Sequence, residues 1–139
     1  MDKNKVLEFI KKQSLAVYST ASLSGQPQSA VMAITVTDDW SIYMSTEPTT
    51  RKIRNLAVNP ASSLVIGGLN NDPSVQLDGR SIIIPDSEVE SAKSLVLSIH
   101  PELKDYLNPS SKFIKFTPSW LRYSDFSQNP PEIVGFSDF

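Results

Sequence analysis

From Ala30 to Ser45 the chain keeps a period of two. Ala30, Met32, Ile34 and Val36 alternate with Ser29, Val31, Ala33 and Thr35, and after Asp38-Asp39 the pattern resumes as Trp40, Ile42 and Met44 against Ser41, Tyr43 and Ser45. Successive side chains on a strand point to opposite faces, so this spacing predicts strands with one fully apolar face. The second face of the 28–37 strand carries small or mixed residues, which leaves room for something other than bulky core. Short turns between such strands force antiparallel pairing. The run predicts a three-strand meander with the strand before it.

That preceding strand is Leu15 to Leu23, set off from the Gln28 to Thr37 strand by the turn residues Ser24-Gly25-Gln26-Pro27. Further strands are predicted at Ser62 to Gly68 and Ser74 to Ile84. Gly79 inside the latter suggests a bulge or tight bend. A last strand runs from Lys112 towards Tyr123, with Pro118 marking an edge or a bulge, and an irregular apolar tail follows at 129–136.

Three short helices interrupt the strands. Val6, Leu7 and Ile10 recur at helical spacing, with Asp2 available as a cap and Lys11 and Lys12 in the last turn. Thr49 to Val58 carries Ile53, Leu56 and Ala57 on one face and stops at Asn59-Pro60. The third places Val89, Ala92, Leu95, Val96 and Ile99 on one face before His100-Pro101, with Ser87 and Glu90 spaced as a capping box. Five to six strands joined by local hairpins, with helices inserted between them, predict a barrel-like α+β fold that is mainly β.

The 139 residues fit one domain, 1–139, large enough to bury a core without staples. Thirteen basic against fifteen acidic residues leave a net charge of −2, so no whole-chain field draws it to nucleic acid or an anionic membrane. The absence of cysteine removes disulfides, zinc–thiolate sites and thiol nucleophiles together. Charges interrupt the apolar positions of the N-terminal segment too early for a signal peptide or a membrane span, and a cytoplasmic protein is expected.

The chemistry concentrates in Thr49-Thr50-Arg51-Lys52-Ile53-Arg54. Two cations in the first turn of a helix stand at its positive end, where each costs roughly 0.3 to 1 kcal/mol unless an anion sits there or solvent screens it. Thr50, Arg51 and Lys52 therefore predict a phosphate site, or else a solvated turn with long side chains pointing outward.

In chain order, the strand from Leu15, the Ser24-Gly25-Gln26-Pro27 turn, Ser41-Ile42-Tyr43-Met44-Ser45-Thr46, Thr50-Arg51-Lys52-Ile53-Arg54-Asn55-Leu56, Asn59-Pro60, Leu64-Val65-Ile66 and Val75-Gln76-Leu77-Asp78-Gly79-Arg80 resemble the pyridoxamine 5'-phosphate oxidase-like family. The resemblance covers roughly residues 5 to 84. It implies a split β-barrel of Greek-key-like antiparallel strands with short flanking helices, which dimerises and binds FMN at the subunit interface.

Carried over residue by residue, it implies that Ser45 and Thr46 lie beside the flavin and that Thr50, Arg51 and Lys52 contact its phosphate. Val31, Met32 and Ala33 would line the isoalloxazine. Gln76 matches a position that approaches the flavin across the interface, and Trp120 and Arg122 fall on the strand that completes the pocket. The chain departs from true pyridoxamine phosphate oxidases at its C-terminus, where Gly135-Phe136-Ser137-Asp138-Phe139 lacks the basic residues and His that hold the substrate phosphate.

His100, the sole histidine, is read as a capping or surface residue, and no metal site is expected. No Gly-x-Ser-x-Gly elbow, Rossmann fingerprint or P-loop is present. The resemblance thus implies an FMN-dependent oxidoreductase acting on a small-molecule redox substrate, in which the flavin supplies the chemistry and no catalytic side chain is identified. The alternative is a non-catalytic flavin or haem binding or stress-related protein on the same barrel; the sequence does not distinguish FMN from a deazaflavin.

Overall fold

The computed structural model describes residues 1–139. Helix α1 (Lys3–Lys11) is capped by Asp2, whose carboxylate accepts from the Lys5 amide at 2.9 Å. Its apolar stripe, Val6, Leu7 and Ile10, is buried as the spacing predicts. Strands β1 (Leu15–Ala21) and β2 (Pro27–Ala33) form an antiparallel hairpin from Leu15↔Ala33 to Ala21↔Pro27. Gly25 turns the corner at φ +92°, a conformation that costs glycine nothing.

The predicted strand from Gln28 to Thr37 is one run in sequence but two in space. The β2 ladder to β1 ends at Ala33, the Ile34 amide donates to the Ser14 carbonyl at 3.0 Å, and β3 (Thr35–Val36) pairs instead with β4 (Ile42–Thr46). The expected meander is therefore split, because the same run pairs with β1 at one end and with β4 at the other. Trp40, expected to start the next strand, sits in the turn at φ +70°.

Helix α2 (Arg51–Leu56) is shorter than the predicted Thr49–Val58, with Thr50 in extended geometry before it. Strands β5 (Ala61–Gly67) and β6 (Ser74–Ile83) follow, then α3 (Val89–Ile99) and β7 (Lys112–Asp125). The expected capping box is not formed. A 3-10 turn at Asp86–Glu88 makes Glu88 the residue before α3, and no side chain bonds the helix start.

The sheet runs β2-β1-β5-β6-β7-β4-β3, all antiparallel, and β2 approaches β4 so that the sheet curls into a half-barrel. The tail is a strand and not irregular: β8 (Glu132–Phe136) pairs with Leu121–Asp125 of β7, satisfying backbone groups that β4 does not reach. Pro118 does not end its strand. The β6–β7 register shifts there, from Asp78↔Trp120 to Gly79↔Pro118, so that the bulge absorbs the residue with no N–H. Gly79 is required at this crossing, since a Cβ would stand 2.2 Å from the Thr117 carbonyl oxygen and 2.7 Å from the Phe116 ring.

Inside the curl, Tyr18, Ile34, Ile42, Leu64, Ile66, Leu77 and Phe116 form the centre of one core that α1 closes from below. A smaller cluster of Ile84, Ala92, Val96 and Phe113 fixes α3 against the outside of β7. Each buried large side chain of this kind contributes roughly 1.5–3 kcal/mol. No helix is long and apolar enough to cross a membrane.

Candidate functional site

The start of α2 faces the β1–β2 hairpin across a polar cleft of about 320 Å³. Its walls are Tyr18 and Thr20 of β1, Gln28, Ser29 and Ala30 of β2, and Thr49, Thr50, Arg51 and Lys52. No carboxylate forms an ion pair with Arg51, Lys52 or Arg54, although six such pairs exist elsewhere in the chain. The sequence carries no Asp or Glu between Glu47 and Asp72, so no sequence neighbour supplies one.

Burial, and then the adjacent Arg51 charge, hold the Lys52 ammonium below its ordinary pKa of 10.5. An unpaired, partly desolvated cation next to a second cation is an unfavourable arrangement that a bound anion relieves. Around it the hydroxyls are already ordered. Lys52 Nζ donates to Thr46 Oγ1 at 3.4 Å, Thr46 and Thr50 hydroxyls meet at 3.2 Å, and Thr50 Oγ1 donates to the Glu47 carbonyl at 3.1 Å.

Thr50 also borders a second, more apolar cleft of about 490 Å³. Val31, Met32 and Ala33 of β2 form one wall, and Ser45, Thr46 and Glu47 at the end of β4 form another. The rim comes from Leu103 and Tyr106 in the 3-10 turn Pro101–Tyr106. Tyr106 is 77% exposed. The structure thus joins eight of the nine residues expected at the site: Val31, Met32, Ala33, Ser45 and Thr46 at the apolar end, Arg51 and Lys52 at the polar end, and Thr50 between them.

Gln76 stands apart. One row of exposed side chains crosses the outer face of the sheet, from Val31 through Val17, Val65 and Gln76 to Arg122. Three strand spacings separate Gln76 from Val31, roughly 14 Å at 4.7–4.9 Å each. Trp120 lies on the neighbouring row, opposite Asp78. Neither Gln76, Trp120 nor Arg122 borders either cleft within its own chain.

Sequence reasoning missed Gln28, Asn55, Leu103 and Tyr106. Asn55 is buried on the inner side of α2, and its Nδ2 donates to Thr20 Oγ1 at 3.0 Å and to Gln28 Oε1 at 2.8 Å. An Asn on the helix face otherwise occupied by Leu56 was the available signal. Nothing local marks Tyr106. His100 is the residue that ends α3, with Nδ1 3.2 Å from Glu102 Oε1, and it lines neither cleft.

The family model described as Pyridoxamine 5'-phosphate oxidase matches residues 3–125. No curated protein matches the chain. Among solved structures, General Stress Protein 26 from Bacillus anthracis str. Sterne superposes with a TM-score of 0.73 at 25% identity, over 96% of this chain and 98% of that one. A pyridoxamine 5'-phosphate oxidase-related, FMN binding protein from Nostoc punctiforme superposes at 0.69 with 12% identity, over 98% and 91% of the two chains. A heme binding protein from Mycobacterium smegmatis gives 0.71 at 15% identity, over 90% of this chain and 53% of that one. The last two likenesses establish a shared split-barrel fold.

Proposed function

The chain belongs to the pyridoxamine 5'-phosphate oxidase family, and from that premise we propose that it is an FMN-binding flavoprotein and a flavin-dependent oxidoreductase for a small-molecule substrate. The observation that carries the reading is the pair Arg51 and Lys52 on one cleft, Arg51 exposed and Lys52 partly desolvated, balanced by no carboxylate. A terminal phosphoryl group fits that chemistry. It offers the counter-charge that Lys52 lacks and acceptors for the Lys52 ammonium and the Arg51 guanidinium.

Val31, Met32 and Ala33 supply an apolar wall for the ring system, and Ser45 and Thr46 supply hydroxyls along the opposite edge. Bound FMN would supply the hydride or electron chemistry. The protein's own part is to hold the phosphate, orient the ring between β2 and β4, and keep water from the apolar wall.

The exposed valines of the outer face support a homodimer. Val31, Val17 and Val65 stand side by side on three strands, exposed by 68%, 41% and 44%, and Leu15 extends the patch. A two-fold pairing over this surface buries the patch and brings Gln76 of the partner subunit towards the flavin ring, the role it cannot fill in its own subunit.

Two measurements test the activity. The freshly purified protein carries a flavin released as FMN by mass spectrometry, and under anaerobic conditions the bound flavin is bleached by a nicotinamide donor and recoloured by oxygen or a quinone. Tight FMN binding with no reduction by any donor sinks the oxidoreductase and leaves a flavin carrier.

A haem-binding reading is favoured by the fold shared with the Mycobacterium smegmatis heme binding protein. Against it, the sole histidine lies outside both clefts. An absorbance spectrum of the purified protein separates the two.

A further inference from the structure

The polar cleft contains a side chain whose hydrogen-bonding capacity is half used. Gln28 lies on the edge strand β2, directly opposite Thr20 in the register, and is half-buried. Its Oε1 is engaged by Asn55 Nδ2 at 2.8 Å, and its own amide nitrogen has no partner in the protein. Asn55 spends both of its N–H groups, one on Thr20 Oγ1 and one on Gln28 Oε1.

A primary amide carries its oxygen and nitrogen on opposite sides of one carbon, so fixing the oxygen aims the nitrogen away from Asn55. Gln28 lines the cleft it shares with Thr50, Arg51 and Lys52, and its unpartnered amide nitrogen is open to solvent.

We infer that Gln28 is a ligand-binding residue that donates its amide hydrogens to the phosphoryl end of the bound cofactor, and that Asn55 is the positioning residue that fixes its orientation. The inference rests on the FMN reading for the identity of the ligand. It does not rest on the helix start, since the geometry comes from a buried asparagine gripping a glutamine on another element, 27 positions away in sequence.

The arrangement has a consequence for selectivity. A neutral donor opposite two cations accepts a phosphoryl group without adding charge, whereas a carboxylate at the same position repels it. Gln28 therefore discriminates FMN from riboflavin, which differ only at that end.

The test uses the full-length protein labelled with nitrogen-15, with the Gln28 side-chain amide signals identified by their loss in Gln28→Ala. Titration with FMN or with inorganic phosphate moves these signals, and titration with riboflavin leaves them in place. Gln28→Glu lowers FMN affinity at least tenfold and changes riboflavin affinity less than twofold.

Asn55→Ala lowers FMN affinity about fivefold, and in a Gln28→Ala background it causes no further loss, because the two act as one unit. Should Asn55→Ala fail to fold, the Gln28 substitutions on an edge strand still decide the matter.

Stationary Gln28 signals alongside moving Arg51 and Lys52 amides overturn the role of Gln28 and leave the phosphate site standing. If none of these signals responds to FMN or phosphate, the phosphate site falls as well.

Discussion

Lys52 Nζ stands 3.4 Å from Thr46 Oγ1, and this contact joins the two halves of the site. Lys52 belongs to the polar cleft beside the β1–β2 hairpin, and Thr46 to the apolar cleft at the end of β4. The proposed ligand, with one anionic end and one planar end, would meet both through this pair. The ammonium is anchored by a neutral hydroxyl and not by a carboxylate, so its charge stays available to an incoming anion.

Replacing Arg51 and Lys52 together by alanine removes charge-assisted hydrogen bonds of about 1.5–3 kcal/mol each. The expected outcome is a loss of FMN affinity of about a hundredfold or more, with riboflavin affinity changed only a few-fold. Fluorescence titration of both ligands checks it, and equal losses for the two count against a phosphate at this position.

The lowered pKa of Lys52 predicts a pH signature. In the ligand-free protein the unfolded chain holds this proton more tightly than the folded one. The stability penalty is therefore full below the lowered folded pKa and fades as pH climbs towards the ordinary 10.5. Bound phosphate reverses the shift.

The extra stabilisation given by FMN over riboflavin should grow as the phosphoryl group becomes a dianion above about pH 6. It should then decline as Lys52 deprotonates in the alkaline range. Melting temperatures with each ligand across this range test the prediction, and a flat difference defeats it.

Gly79→Ala is expected to destabilise the fold by about 3 kcal/mol or more, at the upper end of overpacking costs. The new Cβ meets a backbone carbonyl at 2.2 Å, and backbone yields less than the tip of a flexible side chain. Urea denaturation gives the number. A change below about 0.5 kcal/mol, the range of ordinary surface substitutions, would show that the β6–β7 crossing relaxes freely.

Val17→Lys and Val65→Asp place charges in the middle of the exposed apolar row without touching the core, since both side chains lie on the outer face. Each is expected to convert a dimer into a monomer in sedimentation, with flavin affinity reduced alongside. A monomeric parent protein, or a monomeric variant that keeps full affinity, removes the shared site.

Local pattern made much of the framework legible. The 3.6-residue spacing of Val6, Leu7 and Ile10 needed only burial on one side to become α1, and Asp2 caps it through a bond three residues away. Gly79 signalled a bulge or a tight bend and Pro118 an edge or a bulge, one lacking a Cβ and the other an N–H, and the structure sets them opposite each other at a bulge.

The failures share a cause. Ser87 and Glu90 had the right spacing for a capping box, yet the chain enters α3 through a 3-10 turn. The tail read as irregular because a partner strand, not its own residues, makes it a strand.

The sequence by itself determined the cations of Thr50-Arg51-Lys52, the run of 24 residues without an acid between Glu47 and Asp72, and the small-residue face of β2, because residue type and short-range periodicity decide these. Only the tertiary structure decided that the strand changes partners at Ile34, that Thr46 meets Lys52, that Asn55 grips Gln28 and that Gln76 lies three strands from Val31. Such pairings depend on which distant segments the curled sheet brings together. Their energy belongs to contacts between elements, which no window of neighbouring residues contains.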